Sequence, residues 1–275
     1  MIPRANVTAW RSEVPWTSDA LVEQDLVLTR ALVELFLSRQ LREQVAFRGG
    51  TVLHKIFFNP AGRFSEDIDL VQISPGAIGP IMSAIRERLD GWLGSPSTKR
   101  GQGRVVLLYR FVSEMEPVGR RRLKVEINTR EHFSILGFDA RSLEVSNPWF
   151  EGRALITTYR LDELLGTKMR ALFQRKKGRD LFDLGLGLVL PDANPYLIVK
   201  CFLRYIEHDG MRVSRARFEA NLAAKEHDSA FREDVMPLLA PDISWDFDST
   251  LAMVSKELVA AIPGEPWKGA RTDPG

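Results

Sequence analysis

Apolar residues follow two spacings along the chain, and each spacing predicts its own kind of element. Recurrence every three or four residues is typical of a helix with one buried face. It marks the predicted helices at 19–40, 51–58, 80–93, 157–174, 178–188 and much of 195–262. Alternation and short apolar runs are typical of strands, whose successive side chains point to opposite faces. They mark the predicted strands at 45–47, 67–71, 104–111 and 123–128.

The order of these elements predicts an α+β protein with two lobes. Two adjacent strands that follow a helix favour a mixed sheet over repeated βαβ units. We therefore expect one domain over residues 1–146, with a mixed sheet and N-terminal helices, and a mainly helical domain over 147–275. The segment 94–103 contains Gly94, Pro96 and Gly103 and predicts a loop.

The most informative polar positions combine a glycine turn with two nearby aspartates. Gly49 and Gly50 open a predicted helix, and backbone N–H groups at a helix start bind anions such as phosphate. Asp67 and Asp69 alternate with Ile68 in a predicted strand, so both carboxylates project from one face. Two such carboxylates repel unless a cation lies between them, and Mg²⁺ commonly joins one or two carboxylates to substrate phosphates. The combination predicts phosphoryl or nucleotidyl transfer.

Each half of this motif has a plainer explanation. Two glycines usually form a turn, and two alternate aspartates usually form a polar strand edge. The joint arrangement is more specific because Arg63 and Ser65 lie between the predicted helix and the two aspartates.

Several segments resemble a known protein family. The glycine and aspartate motif looks like the signature of the DNA polymerase β-like nucleotidyltransferase superfamily. More narrowly, FRGGTVLHKIF at 47–57 and RFSEDIDL at 63–70 resemble the AbiEii/AbiGii toxins of type IV toxin–antitoxin and abortive-infection systems. Later motifs fit as well, with Lys168-Met-Arg-Ala-Leu in one predicted helix and Arg179-Asp180-Leu-Phe-Asp183 in the next. The resemblance extends to about Leu184.

The resemblance implies roles for particular residues. It implies a polymerase β-like core that takes an NTP with Mg²⁺ or Mn²⁺. The implied nucleotide-binding residues are Gly49, Gly50, Thr51, Ser65 and Lys168, and the implied metal ligands are Asp67, Asp69 and Glu126. At least one of Asp180 and Asp183 is implied to be catalytic, together with Asp67, Asp69 and Lys168.

The residues themselves leave some of these roles open. Glu126 stands where the superfamily commonly has aspartate, and it could instead be only the partner of Lys124 or a nearby arginine. Asp180 and Asp183 could pair with Arg179, Lys176 or Lys177. Lys168 lies near the edge of the apolar stripe of its helix, so pattern alone predicts an exposed lysine.

Composition and charge limit the function classes. The 275 residues are 44% hydrophobic with a net charge of +2, so overall charge does not indicate a nucleic-acid-binding protein. Local charge is more suggestive in two basic clusters, one at 120–124 and the other at 170–179, although such runs are most often solvated helix faces. The single cysteine, Cys201, cannot form an intramolecular disulfide and fits a reducing cytoplasm. No apolar run is long enough to span a membrane, and no secretory signal is recognisable.

We therefore expect a cytoplasmic, metal-dependent nucleotidyltransferase toxin. Its acceptor is expected to be RNA, with the 3′ end of tRNA suggested by the resemblance, although a protein hydroxyl or a small molecule is the alternative. A non-catalytic nucleotide-binding module is a further alternative. The resemblance also implies an antitoxin that acts without forming a stable complex.

Overall fold

The computed structural model describes residues 2–115 and 118–269. The chain divides into two compact units. The first comprises Met1–Arg160 with Ala240–Asp242, and the second comprises Leu161–Leu239 with Ile243–Gly275. The predicted boundary at 146/147 falls at the tip of a β-hairpin whose two strands both belong to the first unit.

The first unit is built on one mixed sheet. Its strands are β1 (Val45–Arg48), β2 (Asp67–Gln72), β3 (Ser97–Gly101), β4 (Arg104–Val112), β5 (Arg120–Asn128), β6 (Phe138–Asn147) and β7 (Phe150–Tyr159). They lie in the order β3-β4-β5-β2-β1-β7-β6. The pairs β2–β5 and β1–β7 are parallel and the other pairs are antiparallel. The predicted α+β class with a mixed sheet is confirmed.

Helices cover one face of this sheet and form the core with it. They are α1 (Arg4–Trp10), α2 (Asp19–Leu37), α3 (Arg39–Gln44), α4 (Gly49–Val52) and α5 (Gly79–Leu93). A π-helical turn, Leu53–Phe57, continues α4. The long helix α2 is buried along most of its length and contacts β7, β5 and α5. Alternate residues of the strands, such as Leu107, Val125 and Ile68, are fully buried on the same side of the sheet.

The second unit is helical. Its helices are α6 (Leu161–Gln174), α7 (Gly178–Leu188), α8 (Pro195–His208), α9 (Arg215–Glu226), α10 (Ser229–Glu233) and α11 (Phe247–Glu257). Helix α6 packs against α7 and α8, and α7 also packs against α11. Gly166 allows α6 to approach α8 closely, because a Cβ atom there would lie 2.6 Å from Cβ of Cys201. Cys201 itself is fully buried.

Two predictions of local structure are wrong. The segment 94–103 contains the edge strand β3, which pairs with β4 although its residues are exposed. Thr157–Tyr159 were predicted to begin a helix but end β7, because they pair with β6 and the helix begins only at Leu161. In both cases pairing with a neighbouring strand outweighs the local pattern.

Within the described ranges, no helix combines the length and the apolar character that a membrane-spanning helix needs.

Candidate active site

The glycine turn between β1 and α4 lies directly against Asp69. Gly49 has a φ angle of 87°, in the left-handed region that favours glycine. A Cβ atom at this position would lie 2.4 Å from Oδ2 of Asp69. Only glycine therefore fits here, because both its backbone angle and the neighbouring carboxylate exclude a side chain.

Asp67 and Asp69 lie on the same face of β2. The residues that alternate with them, Ile68 and Leu70, are buried on the other face. In the pairing of β2 with β5, Asp67 is opposite Lys124 and Asp69 is opposite Glu126. The structure therefore brings together the two aspartates, Glu126 and the glycine turn, as the sequence motif predicts.

Lys124 lies between two of these acidic side chains. Its Nζ is 2.6 Å from Oδ2 of Asp67 and 3.4 Å from Oε2 of Glu126. Arg104 approaches the other carboxylate oxygen of Glu126 at 3.8 Å. The contacts match the alternative in which Glu126 is a partner of basic side chains. Sequence reasoning did not assign Lys124 to the site, although its position two residues before Glu126 on the same strand face was a usable signal.

Asp69 is the least compensated of these carboxylates. Burial raises the pKa of Asp69 to about 6, and the neighbouring charge of Asp67 adds to the effect. Lys124 and Arg48 act in the opposite direction and lower this pKa, but they do not cancel the rise. The ionised form of Asp69 is therefore unfavourable unless a further cation balances it.

Two hydroxyl groups connect the glycine turn to β2. The Thr51 hydroxyl donates to the backbone carbonyl of Asp67 at 2.6 Å, and its oxygen lies 2.8 Å from that of Ser65. Since a hydroxyl has only one proton, Ser65 is the donor in the bond to Thr51. These bonds fix the turn relative to the two aspartates.

The donor set fits a divalent cation held by two carboxylates. Among the residues that the structure describes, no three or more His, Cys, Asp or Glu side chains are grouped so that they could hold a metal ion. Mg²⁺ is usually bound by one or two carboxylates together with substrate phosphates, so it does not need a third protein ligand. Asp67 and the under-compensated Asp69 meet that requirement.

The other predicted residues form a cluster in the second unit. Nζ of Lys168 on α6 lies 2.7 Å from Oδ2 of Asp183 and 3.3 Å from Oδ1 of Asp180, both on α7. Lys168 is only 6% exposed and the two aspartates are fully buried. The expectation of an exposed Lys168 is therefore wrong, because packing of α6 against α7 encloses its ammonium group between two carboxylates.

Two further cations complete this cluster. Arg175 donates two hydrogen bonds, of 2.7 and 2.8 Å, to the two carboxylate oxygens of Asp180. Lys225 on α9 donates to the backbone carbonyls of Leu172, Phe173 and Arg175 at the end of α6. Burial lowers the pKa of Lys225 to about 8. Sequence reasoning missed Lys225, since its position in the pattern of α9 carries no sign of these contacts.

Two carboxylates beside a glycine turn are the features on which the resemblance to nucleotidyltransferases rests. The family model described as "Nucleotidyl transferase AbiEii toxin, Type IV TA system" matches residues 30–253. The chain belongs to this family of nucleotidyltransferase toxins.

Solved structures of other proteins have a similar fold. The chain is similar to MenT4, nucleotidyltransferase toxin Rv2826c from Mycobacterium tuberculosis H37Rv, with a TM-score of 0.69 and 20% identity over 96% of this chain and 91% of that chain. It is also similar to JHP933 from Helicobacter pylori, with a TM-score of 0.53 and 14% identity over 87% of this chain and 90% of that chain. No curated protein sequence matches the chain.

Proposed function

We propose that this nucleotidyltransferase toxin transfers a nucleoside monophosphate from an NTP to an RNA acceptor, with Asp67 and Asp69 holding a divalent cation. One observation carries the proposal. The Asp69 carboxylate lies against Gly49 and beside Asp67, and burial leaves its charge incompletely balanced. A cation that arrives with the triphosphate would remove that imbalance.

The metal is proposed to be Mg²⁺, with Mn²⁺ as the alternative. When bound, it would supply positive charge that stabilises the triphosphate during transfer. Asp67 and Asp69 would hold it. Glu126 is the third acidic side chain of the proposed site. Asp67 contacts Lys124 alone among the described basic side chains, whereas Glu126 contacts both Lys124 and Arg104, and this second cation favours a role as counter-charge over a role as ligand.

The glycine turn is proposed to bind the triphosphate. Because Gly49 and Gly50 have no side chains, phosphate oxygens can approach the backbone N–H groups at the start of α4. Thr51 and Ser65 would hold the turn in place through their mutual hydrogen bond, and Ser65 would also contact the nucleotide.

The family resemblance assigns Lys168 to the triphosphate and a catalytic role to at least one of Asp180 and Asp183. We propose the same roles for these residues in this chain. The ion pairs of Lys168 with both aspartates would fix its ammonium group in one position.

The acceptor is proposed to be the 3′ end of tRNA, and its modification would block growth or phage propagation in the cytoplasm. The family name implies an antitoxin, which we expect to act without a stable complex. MenT4 is described as a nucleotidyltransferase toxin, and that description is consistent with the proposed reaction.

Nucleotide incorporation tests the proposal. Purified protein is incubated with MgCl₂, each α-labelled NTP in turn and total cellular RNA, and the RNA and protein fractions are separated and counted. We expect label in small RNA with the wild type and none with Asp67→Asn or Asp69→Asn at unchanged fold. Label in protein or in a small molecule, or full turnover by a folded Asp67→Asn variant, would contradict it.

A further inference from the structure

One face of the sheet carries an unusual row of basic side chains. Residues that are directly opposite on paired strands share a face, and the register places five exposed cations together. We call them the basic sheet face: Lys99 on β3, Arg104 and Arg110 on β4, and Arg120 and Arg122 on β5. Arg121 alternates to the opposite face and is not part of it.

This row runs directly to the proposed catalytic carboxylates. Lys124 follows Arg122 on the same face of β5 and contacts Asp67 on β2. Neighbouring strands lie about 4.8 Å apart, so the face extends for roughly 14 Å from β2 to β3. Along β3, β4 and β5, the register gives this face a single carboxylate, that of Glu126, which already contacts Lys124 and Arg104.

Two of these arginines oppose each other in a way that costs stability. Arg110 on β4 is directly opposite Arg122 on β5. Like charges at such positions are destabilising. Among the residues that the structure describes, neither arginine forms an ion pair, and Arg110 donates only to the hydroxyl of Ser97, at 3.1 Å. A bound anion would remove the repulsion.

We infer that the basic sheet face binds the phosphate backbone of the RNA acceptor and leads its end to Asp67 and Asp69. Guanidinium groups present paired donors that match phosphate and carboxylate oxygens alike. The position of the face beside Asp67, where the proposed transfer takes place, favours the RNA acceptor over an acidic protein segment. The exposed face presents arginine and lysine rather than aromatic side chains, so we expect binding to follow the backbone rather than the base sequence. The inference rests on the proposed function for the identity of the acceptor.

Direct binding tests the inference without catalysis. Fluorescence anisotropy with a labelled single-stranded RNA oligonucleotide is recorded over a series of salt concentrations, with neither NTP nor metal present. For Arg110→Gln/Arg122→Gln we expect affinity to fall on the order of tenfold at moderate salt. The slope of log affinity against log salt should become shallower by about 1.4, which corresponds to roughly 0.7 for each lost phosphate contact.

The other end of the same sheet provides a matched control. Arg153 on β7 is also exposed and donates to a serine hydroxyl, that of Ser142, but it is directly opposite Glu144. Arg141 on β6 is exposed and pairs with Asp139. The double variant Arg141→Gln/Arg153→Gln removes the same charge and should leave RNA affinity and salt slope unchanged.

Two outcomes would overturn the inference. One is a folded Arg110→Gln/Arg122→Gln protein with wild-type affinity and slope. The other is equally tight binding of wild type to polyglutamate, which would indicate an acidic protein as the partner. Failure of the proposed function is a separate result, because a protein that binds RNA through this face but incorporates no nucleotide would refute transfer and leave the binding surface intact.

Discussion

The basic sheet face of the first unit and the basic cluster at 170–179 of the second unit differ in what balances their charges. In the second unit, Lys176 pairs with Asp228, and both Lys177 and Arg179 pair with Asp234. In the first unit, Arg110 and Arg122 lie opposite each other and form no ion pair among the described residues, although the charge of Glu66 interacts with that of Arg122. Charge density along a sequence therefore does not identify a binding surface, because neutralisation depends on residues more than fifty positions away.

The buried acidic residues of the two units also differ in how far neighbouring cations balance their charges. Asp180 and Asp183 are fully buried, and Lys168 and Arg175 balance them within their own unit. Asp69 is incompletely balanced, and burial raises its pKa to about 6. The carboxylates of Asp180 and Asp183 are thus balanced by cations of their own unit, whereas Asp69 leaves room for a further cation, and such locally unfavourable arrangements are expected at functional sites.

The largest effect on stability should come from Lys168→Met. Removing the ammonium group leaves two buried carboxylates without their shared cation, which typically costs about 3–5 kcal/mol. Urea denaturation should show this loss, while Lys176→Met, which breaks an exposed pair in the same region, should cost less than about 1 kcal/mol. Adding Asp183→Asn to Lys168→Met should recover part of the loss. Similar denaturation midpoints for the two lysine variants would refute a structural role for the buried pair.

Asp69→Asn is expected to raise the free energy of unfolding, by an amount smaller than the loss expected for Lys168→Met. The raised pKa means that ionised Asp69 destabilises the folded protein, and this penalty grows as pH rises from about 4 to 6. The variant should therefore be more stable than the wild type above pH 6, by on the order of 1–3 kcal/mol, and equally stable near pH 3. Thermal denaturation across this range measures the difference. A variant that is less stable at neutral pH would show that Asp69 is already balanced.

The smallest effect should appear on the basic sheet face. Arg122→Gln removes the cross-strand repulsion with Arg110, so the free energy of unfolding should rise by about 0.2–1 kcal/mol. Arg153→Gln, which removes an arginine opposite Glu144, should lower it by a similar amount. Denaturation at low and high salt should show both differences shrinking as salt screens them. A loss of stability in Arg122→Gln would mean that this arginine has a structural partner.

The parts of the site that follow from local pattern were predictable. Alternation places Asp67 and Asp69 on one face, and Gly49 marks the close approach to them. Alternation along β5 places Lys124 on the face of Glu126, but its contact with Asp67 depends on the pairing of β5 with β2. The burial of Lys168 depends on helix packing across twelve and fifteen residues, and no single-segment pattern contains that information.

The parts of the fold that were missed have a similar cause. Strand β3 is exposed along its whole length, so it has no apolar alternation and forms only because β4 pairs with it. The end of β7, Thr157–Tyr159, directly precedes the apolar pattern of α6 and was predicted as part of that helix, but its pairing with β6 decides the outcome. Both strands depend on contacts with the rest of the sheet.

Single-turnover transfer to RNA by two matched double variants tests the contrast between the clusters most directly. Arg110→Gln/Arg122→Gln and Lys176→Gln/Lys177→Gln each remove two positive charges, and both are assayed with subsaturating RNA, labelled NTP and MgCl₂ at temperatures where both proteins are folded. We predict that the first slows transfer on the order of tenfold and regains rate when RNA is raised, whereas the second transfers at the wild-type rate. Equal slowing of the two variants, or slowing of the second alone, would contradict the account.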